Sequence, residues 1–233
     1  MLLQRLLATL SMVMVLAYSS ADLMAQTNGR LYDPEPPADS AYIRIVLAGD
    51  MLKVAVSIDG KLRIPSVSTN QASDYLVIPA GRHLIELQTP GKLNKLVSMP
   101  LEVIQGRAIT LVFTSSQMTE PPIVLEDKTG SNKLKAMLSV YQLASKQKAL
   151  DVTTSDGKTK VFSNLEYGKS AALAVNPIST ELQIQYHNEA AILGKTSISM
   201  SQGNSYSIVL FAEKTGKVKS VVVQNKVERY TGK

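Results

Sequence analysis

The sequence predicts an all-β chain of two tandem, similar domains of the sandwich or barrel type, preceded by a cleaved signal peptide. Three observations carry that reading. Apolar residues recur with a period of two rather than 3.6, the punctuation of the chain returns after a shift of 97 residues, and a short apolar run follows a positive charge at the start.

Residues 1–25 are read as the signal peptide. Arg5 supplies the positive charge, and Leu6 to Ala17 is apolar except for Thr9 and Ser11. Small residues follow at Ser19, Ser20, Ala21 and Ala25, so cleavage fits after Ala21 or Ala25, with Ala25 preferred. The run is about 12 residues, short of the ~20 that span a bilayer, which separates it from a membrane anchor. The chain has no cysteine, so neither a lipid-anchored cysteine nor a disulfide is available. An exported protein of this kind is held by its cores alone. Trp is absent and Phe occurs 3 times, so Leu, Ile and Val must fill those cores. Two domains of roughly 95 residues are large enough for that.

Residues 26–40 form a Pro-rich N-terminal segment. Pro34, Pro36 and Pro37 exclude helix and central strand and favour an extended backbone. Because its prolines already restrict it, this segment costs little entropy to order on a partner. Leu31, Tyr32, Asp33 and Pro34 are therefore candidate partner-binding residues, with Tyr32 as anchor, either along a groove or added to a sheet edge.

Residues 41–127 are the first predicted domain. Tyr42, Arg44 and Val46 alternate with Ile43, Ile45 and Leu47, and Val54, Val56 and Ile58 continue the period of two before the Asp59-Gly60 turn. Tyr75 to Ile78 ends at Pro79-Ala80-Gly81. His83 to Gln88, Met99 to Ile104, Ala108 to Thr114 and Ile123 to Leu125 are further strand-like runs. Residues 128–133, with Thr129-Gly130-Ser131, read as a linker to a second domain at 134–233, and the two domains are expected to fold separately. Under the 97-residue shift Asp59-Gly60-Lys61 meets Asp156-Gly157-Lys158, Gln105-Gly106 meets Gln202-Gly203, and Leu111-Val112-Phe113 meets Ile208-Val209-Leu210.

The net charge is +6 and the sequence pI about 9.4, which favours anionic partners. Lys61, Arg63, Arg82, Lys158 and Lys160 fall in or beside turns and are candidate polyanion contacts, if those turns share one end of each domain. A solvated surface explains them equally. Nucleic acid is excluded by export and by the lack of interleaved aromatics.

No residue set looks able to do chemistry. His83 and His187 are the two histidines, and they are not repeat equivalents. Neither lies near a nucleophile motif, and both read as strand residues. Ser155-Asp156-Gly157 matches Ile58-Asp59-Gly60 in the first repeat, so the serine is not part of the repeated unit. There is no clustered ligand set for a metal and no phosphate-cradling glycine loop, so catalytic, metal and cofactor residues are all expected to be none.

Two stretches resemble the AlgF family of alginate biosynthesis proteins. One is Leu31-Tyr32-Asp33-Pro34-Glu35-Pro36-Pro37 followed by Ser40-Ala41-Tyr42-Ile43-Arg44-Ile45; the other is Asn132 to Val161, with Ser201-Gln202-Gly203 and the run Tyr206 to Leu210 at the matching distance. The resemblance implies two β-sandwich domains, read here as immunoglobulin-like. It implies a non-catalytic accessory protein of the periplasm, required for O-acetylation of alginate or a related exopolysaccharide. The implied partners are membrane-bound and periplasmic polysaccharide O-acetyltransferases, with no cofactor. The competing expectation is a carbohydrate-binding module that grips an anionic exopolysaccharide through the basic loops. The scarcity of aromatic platforms opposes it, since only Tyr32, Tyr75 and Tyr230 offer themselves.

Overall fold

The computed structural model describes residues 35–49, 53–92, 94–114 and 121–230. The signal-peptide residues 1–25 and the candidate contacts Leu31, Tyr32, Asp33 and Pro34 lie outside the described residues. The described chain is all strand and turn, with no helix.

Nine strands make the first half: β1 (Ser40–Leu47), β2 (Lys53–Ile58), β3 (Lys61–Ser68), β4 (Gln71–Ala72), β5 (Leu76–Pro79), β6 (Gly81–Gln88), β7 (Lys95–Val103), β8 (Ala108–Phe113) and β9 (Ile123–Asp127). Eight make the second: β10 (Ala136–Leu143), β11 (Leu150–Thr154), β12 (Lys160–Leu165), β13 (Lys169–Val175), β14 (Ser179–Tyr186), β15 (Ile192–Ser199), β16 (Ser205–Ala212) and β17 (Val218–Gln224). Residues 128–133 connect β9 to the turn before β10.

The duplication read in the sequence is present in the topology. In the first half β3-β2-β6-β7 form one sheet, and β1-β8-β9, with β4 and β5 on the far side of β1, form another. In the second half the orders are β12-β11-β14-β15 and β13-β10-β16-β17. In each half the first strand pairs parallel with the penultimate one, β1 with β8 and β10 with β16. Even the register shift between the second strand and its hairpin partner recurs, in β2–β3 and in β11–β12. The turns within these two hairpins differ. Asp59 and Gly60 both take left-handed φ, +50° and +75°, which closes a two-residue hairpin. In the copy only Gly157 is left-handed, and the Asp156 carboxylate instead accepts from Thr154 Oγ1 at 2.5 Å and Lys158 N at 3.1 Å across a longer loop.

Period-two alternation puts successive side chains on opposite faces, and here both faces of the β1 sheet are covered. Ile43, Ile45, Leu47, Leu111 and Phe113 pack against Val54, Val56, Ile85 and Leu87 of the β2 sheet, forming the first core. Leu138, Val140, Ile208 and Leu210 pack likewise on Val152, Phe162 and Ile184 in the second half. The opposite face of β1 and β8 carries Val46, Ala48 and Val112, which meet Tyr141, Leu143, Val209 and Phe211 from the other half in a third buried cluster. The β1 and β10 sheets therefore lie back to back along a seam, and Glu35–Lys233 form one compact unit.

Candidate functional site

The seam is apolar at one end and polar at the other, and Arg44 is the centre of the polar end. Its position in β1 points it away from the first core, and its side chain is fully buried. Nε donates to Thr110 Oγ1 at 2.8 Å in the neighbouring β8, Nη1 to Asn225 Oδ1 at 2.9 Å, and Nη2 to Ser207 Oγ at 3.0 Å in β16. The guanidinium lies between two rings, 4.7 Å from the Tyr75 centroid and 4.9 Å from that of Tyr141. Asp127, the last residue of β9, closes the network. It accepts from Thr110 Oγ1 at 2.6 Å, from Tyr75 at 2.8 Å and from Tyr141 at 2.6 Å. Burial pushes both tyrosine hydroxyls to higher pKa, so they remain protonated donors. A buried guanidinium is stable only with its donors satisfied, and residues from both halves satisfy them here.

The tail after β17 crosses to the first half. Tyr75 N donates to Lys226 O and Glu228 N to Tyr75 O, both at 2.8 Å. The Glu228 carboxylate then accepts from Val77 N at 2.8 Å and pairs with Arg63, which also donates to Val77 O at 3.2 Å. Both polar groups that Val77 turns away from β1 are thus occupied by side chains. This protects an edge that would otherwise offer itself to another strand.

Beside this edge is a cleft of about 620 Å³, lined among others by Asp39, Asp59, Lys61, Arg63, His83 and Tyr230. His83 places Nδ1 2.7 Å from Asp59 Oδ2 and Nε2 2.9 Å from Pro79 O, so both ring nitrogens are engaged. The His83 hydrogen bond, aided by the Leu84 N–H, holds the Asp59 carboxyl below the usual carboxylate range.

The second histidine serves a buried carboxylate. Asp151 in β11 is fully buried, and its Oδ1 accepts from His187 Nδ1 at 2.8 Å, Asn164 N at 2.8 Å and Ser163 Oγ at 3.1 Å. Lys160 stands 2.9 Å from Oδ2. Burial alone would raise the Asp151 pKa, but these donors together hold it well below its ordinary value. Serine, histidine and aspartate meet here, yet Ser163 and His187 both donate to the same carboxylate oxygen. In a nucleophile relay the serine would donate to the histidine.

The five candidate polyanion contacts fall in three settings. Lys61 and Arg63 line the cleft, but Arg63 is paired with Glu228. Lys160, in the corresponding hairpin of the second half, is paired with Asp151 and donates to Asn188 Oδ1 at 3.2 Å. Arg82 and Lys158 are exposed, on β6 and in the β11–β12 loop. Tyr75 is 6% exposed and belongs to the seam, while Tyr230 borders the cleft. Among the described residues no group of three or more His, Cys, Asp or Glu is arranged to hold a metal ion. Sequence reading missed the seam. Its signal was the near-continuous apolar character of Leu111-Val112-Phe113 and Ile208-Val209-Leu210-Phe211, which marks strands buried on both faces.

Comparison with known proteins places the chain. A family model described as alginate O-acetyl transferase AlgF matches residues 13–207. The alginate biosynthesis protein AlgF of Pseudomonas putida is 27% identical over 207 residues, covering 89% of this chain and 88% of that protein. The protein of the same name from Azotobacter vinelandii is 25% identical over 199 residues, 85% of each. Among solved structures, the C-terminal domain of AlgF from P. aeruginosa aligns with 40% of this chain and 100% of its own at 22% identity and a TM-score of 0.33, too low to bear on the fold. With its sequence matched over most of its length, the chain belongs to the AlgF family, a family involved in alginate O-acetylation.

Proposed function

We propose that this chain is a non-catalytic accessory protein of alginate O-acetylation. In this reading it is exported to the periplasm by residues 1–25 and its halves are two immunoglobulin-like sandwiches. It works in complex with membrane-bound and periplasmic O-acetyltransferases. The observation that supports the non-catalytic part is the placement of the two imidazoles. Both nitrogens of His83 are engaged at a strand edge, and His187 orients a buried carboxylate that Ser163 also serves. Among the described residues neither bridges a carboxylate and a hydroxyl, which is where acyl transfer by a serine–histidine relay needs it.

The test is an acetate-release assay with a chromogenic acetyl ester and with acetylated alginate. Release at the buffer rate is expected. Turnover above it that disappears in His83→Ala or His187→Gln, both first checked for an unchanged melting curve, would refute the reading. A second reading, a carbohydrate-binding module, draws on the cleft lined by Lys61, Arg63 and Tyr230. Alginate titration separates the two. Binding that is weak and vanishes at physiological salt fits long-range attraction alone, whereas tight binding that persists in high salt supports the module.

A further inference from the structure

The two halves share strand order and seam, so a feature present in only one of them is not required by the fold. One such feature is a group of lysines at the end of the second half where the β10–β11 loop meets the β16–β17 turn. Gln147 in that loop donates Nε2 to Gly216 O at 3.3 Å, and Tyr186 donates its hydroxyl to Gln147 Oε1 at 2.6 Å. This fastens the two turns together. Lys146 and Lys148 flank Gln147, while Lys214, Lys217 and Lys219 surround Gly216, and all five are exposed. Lys148 pairs with Glu189 at 3.1 Å, and the group also contains Glu213. Under the 97-residue shift the five lysines correspond to Gly49, Met51, Gln117, Glu120 and Pro122, none of them basic.

The backbone adds an independent observation. Lys146 is left-handed, at φ +64°, a conformation that glycine takes freely and lysine takes against its steric preference. An unfavourable backbone at a charged, outward side chain points to use of that charge.

We propose that Lys146, Lys148, Lys214, Lys217 and Lys219 form a docking surface for an acidic face of a partner protein. This rests on the accessory reading above and names the surface through which it acts. A protein fits better than a polyuronate. The surface mixes signs through Glu189 and Glu213, which disfavours a uniform polyanion but is matched by a protein face with its own few cations. The nearest ring, Tyr186, has the Lys148 ammonium 5.5 Å from its centroid and offers no open platform for a sugar.

The experiment uses the full chain, tagged, in alginate-producing cells that lack their own copy, with the O-acetyltransferase polypeptides of those cells quantified in the purified complex. Three variants are compared with wild type: Lys146→Gly, whose backbone favours folding; the pair Lys214→Glu and Lys217→Glu; and, as control, the pair Lys61→Glu and Arg82→Glu in the first half. Melting curves are recorded for each. The proposal expects the second-half variants to melt normally and to lose co-purification by tenfold or more for the double reversal and severalfold for Lys146→Gly, with the control unchanged. Co-purification unaffected by the reversal overturns the surface while leaving the accessory reading intact. Its absence in wild type overturns the accessory reading itself. Retention of wild type on immobilised alginate at physiological salt, abolished by the same reversal, assigns the surface to the polysaccharide and overturns the protein partner.

Discussion

Arg44→Met tests the seam directly. The substitution keeps the length of the side chain and removes its charge and its donors. Thr110 Oγ1, Asn225 Oδ1 and Ser207 Oγ each lose a hydrogen bond from a cation, about 1.5 kcal/mol net apiece, the low end for a bond to a charged group. The two ring contacts, with Tyr75 and Tyr141, add roughly 0.5–1 kcal/mol each. Met recovers about 1 kcal/mol through apolar burial. The loss should therefore be about 5 kcal/mol, at the upper end of the range of about 3–5 kcal/mol for removing one member of a buried charge network. Arg44→Lys should cost about 2 kcal/mol, because a point charge replaces a fork that reaches three oxygens. Urea unfolding followed by far-UV circular dichroism reads both. Wild type should unfold in one transition, and Arg44→Met should unfold earlier and separate into two steps as the halves uncouple. A loss under about 1 kcal/mol, with a single unchanged transition, would refute the assignment of Arg44 as the link between the halves.

Three further outcomes follow from the geometry. Residues 134–230 expressed alone expose Tyr141, Leu143, Val209 and Phe211, so sedimentation should show self-association; a clean monomer at high concentration would contradict the buried seam. Ending the chain after Gln224 removes the acceptors that Asn225 and Glu228 supply and the two backbone bonds to Tyr75, and should lower stability in urea by about 3 kcal/mol. Asp59 and Asp151 both have folded-state pKa values below their unfolded ones. Their contribution is complete above about pH 4 and is lost as pH falls through the lowered values. Asp151→Asn should cost about 2 kcal/mol at pH 7 and flatten the acid limb of the stability profile, whereas an identical acid limb would show that Asp151 is not the group responsible.

Local chemistry was legible in the sequence, and what lies between distant segments was not. Asp59-Gly60 announced its hairpin because two successive left-handed residues suit few side chains. The 97-residue repeat announced two copies of one strand order. The alternation around Arg44 correctly put it opposite Ile43 and Ile45, but a period of two does not say whether the second face meets water or another sheet. Asp127 looked like an ordinary domain end beside a linker, since a carboxylate at the end of a strand has no local mark of accepting three hydroxyls. The cleft draws on residues 37–40, 58–63, 77–83 and 228–230, which strand pairing and the tail bring together from distant parts of the sequence. Lys160 read as a free surface charge because the carboxylate it neutralises, Asp151, sits nine residues away behind a bulged hairpin.

The seam has one consequence for how the chain came to be a single polypeptide. Tyr42 N bonds to Arg107 O as Met137 N bonds to Asn204 O, so Arg44 corresponds to Ser139 and Val46 to Tyr141, as Thr110 does to Ser207. Val46 and Tyr141, Ala48 and Leu143, and Val112 and Val209 all meet in the seam. A seam lined by equivalent residues of both copies is the signature of a two-fold axis, so the halves meet as the subunits of a symmetric dimer would. Two identical subunits would place the same side chain twice at that axis. Two arginines would repel there, and two serines would leave no cation to lie between Tyr75 and Tyr141. Joining the copies in one gene lifts that restriction. Each side of the axis is then free to change alone, and the resulting pair no longer matches itself. Like halves of two molecules therefore cannot pair through this surface as well as the unlike halves of one chain do.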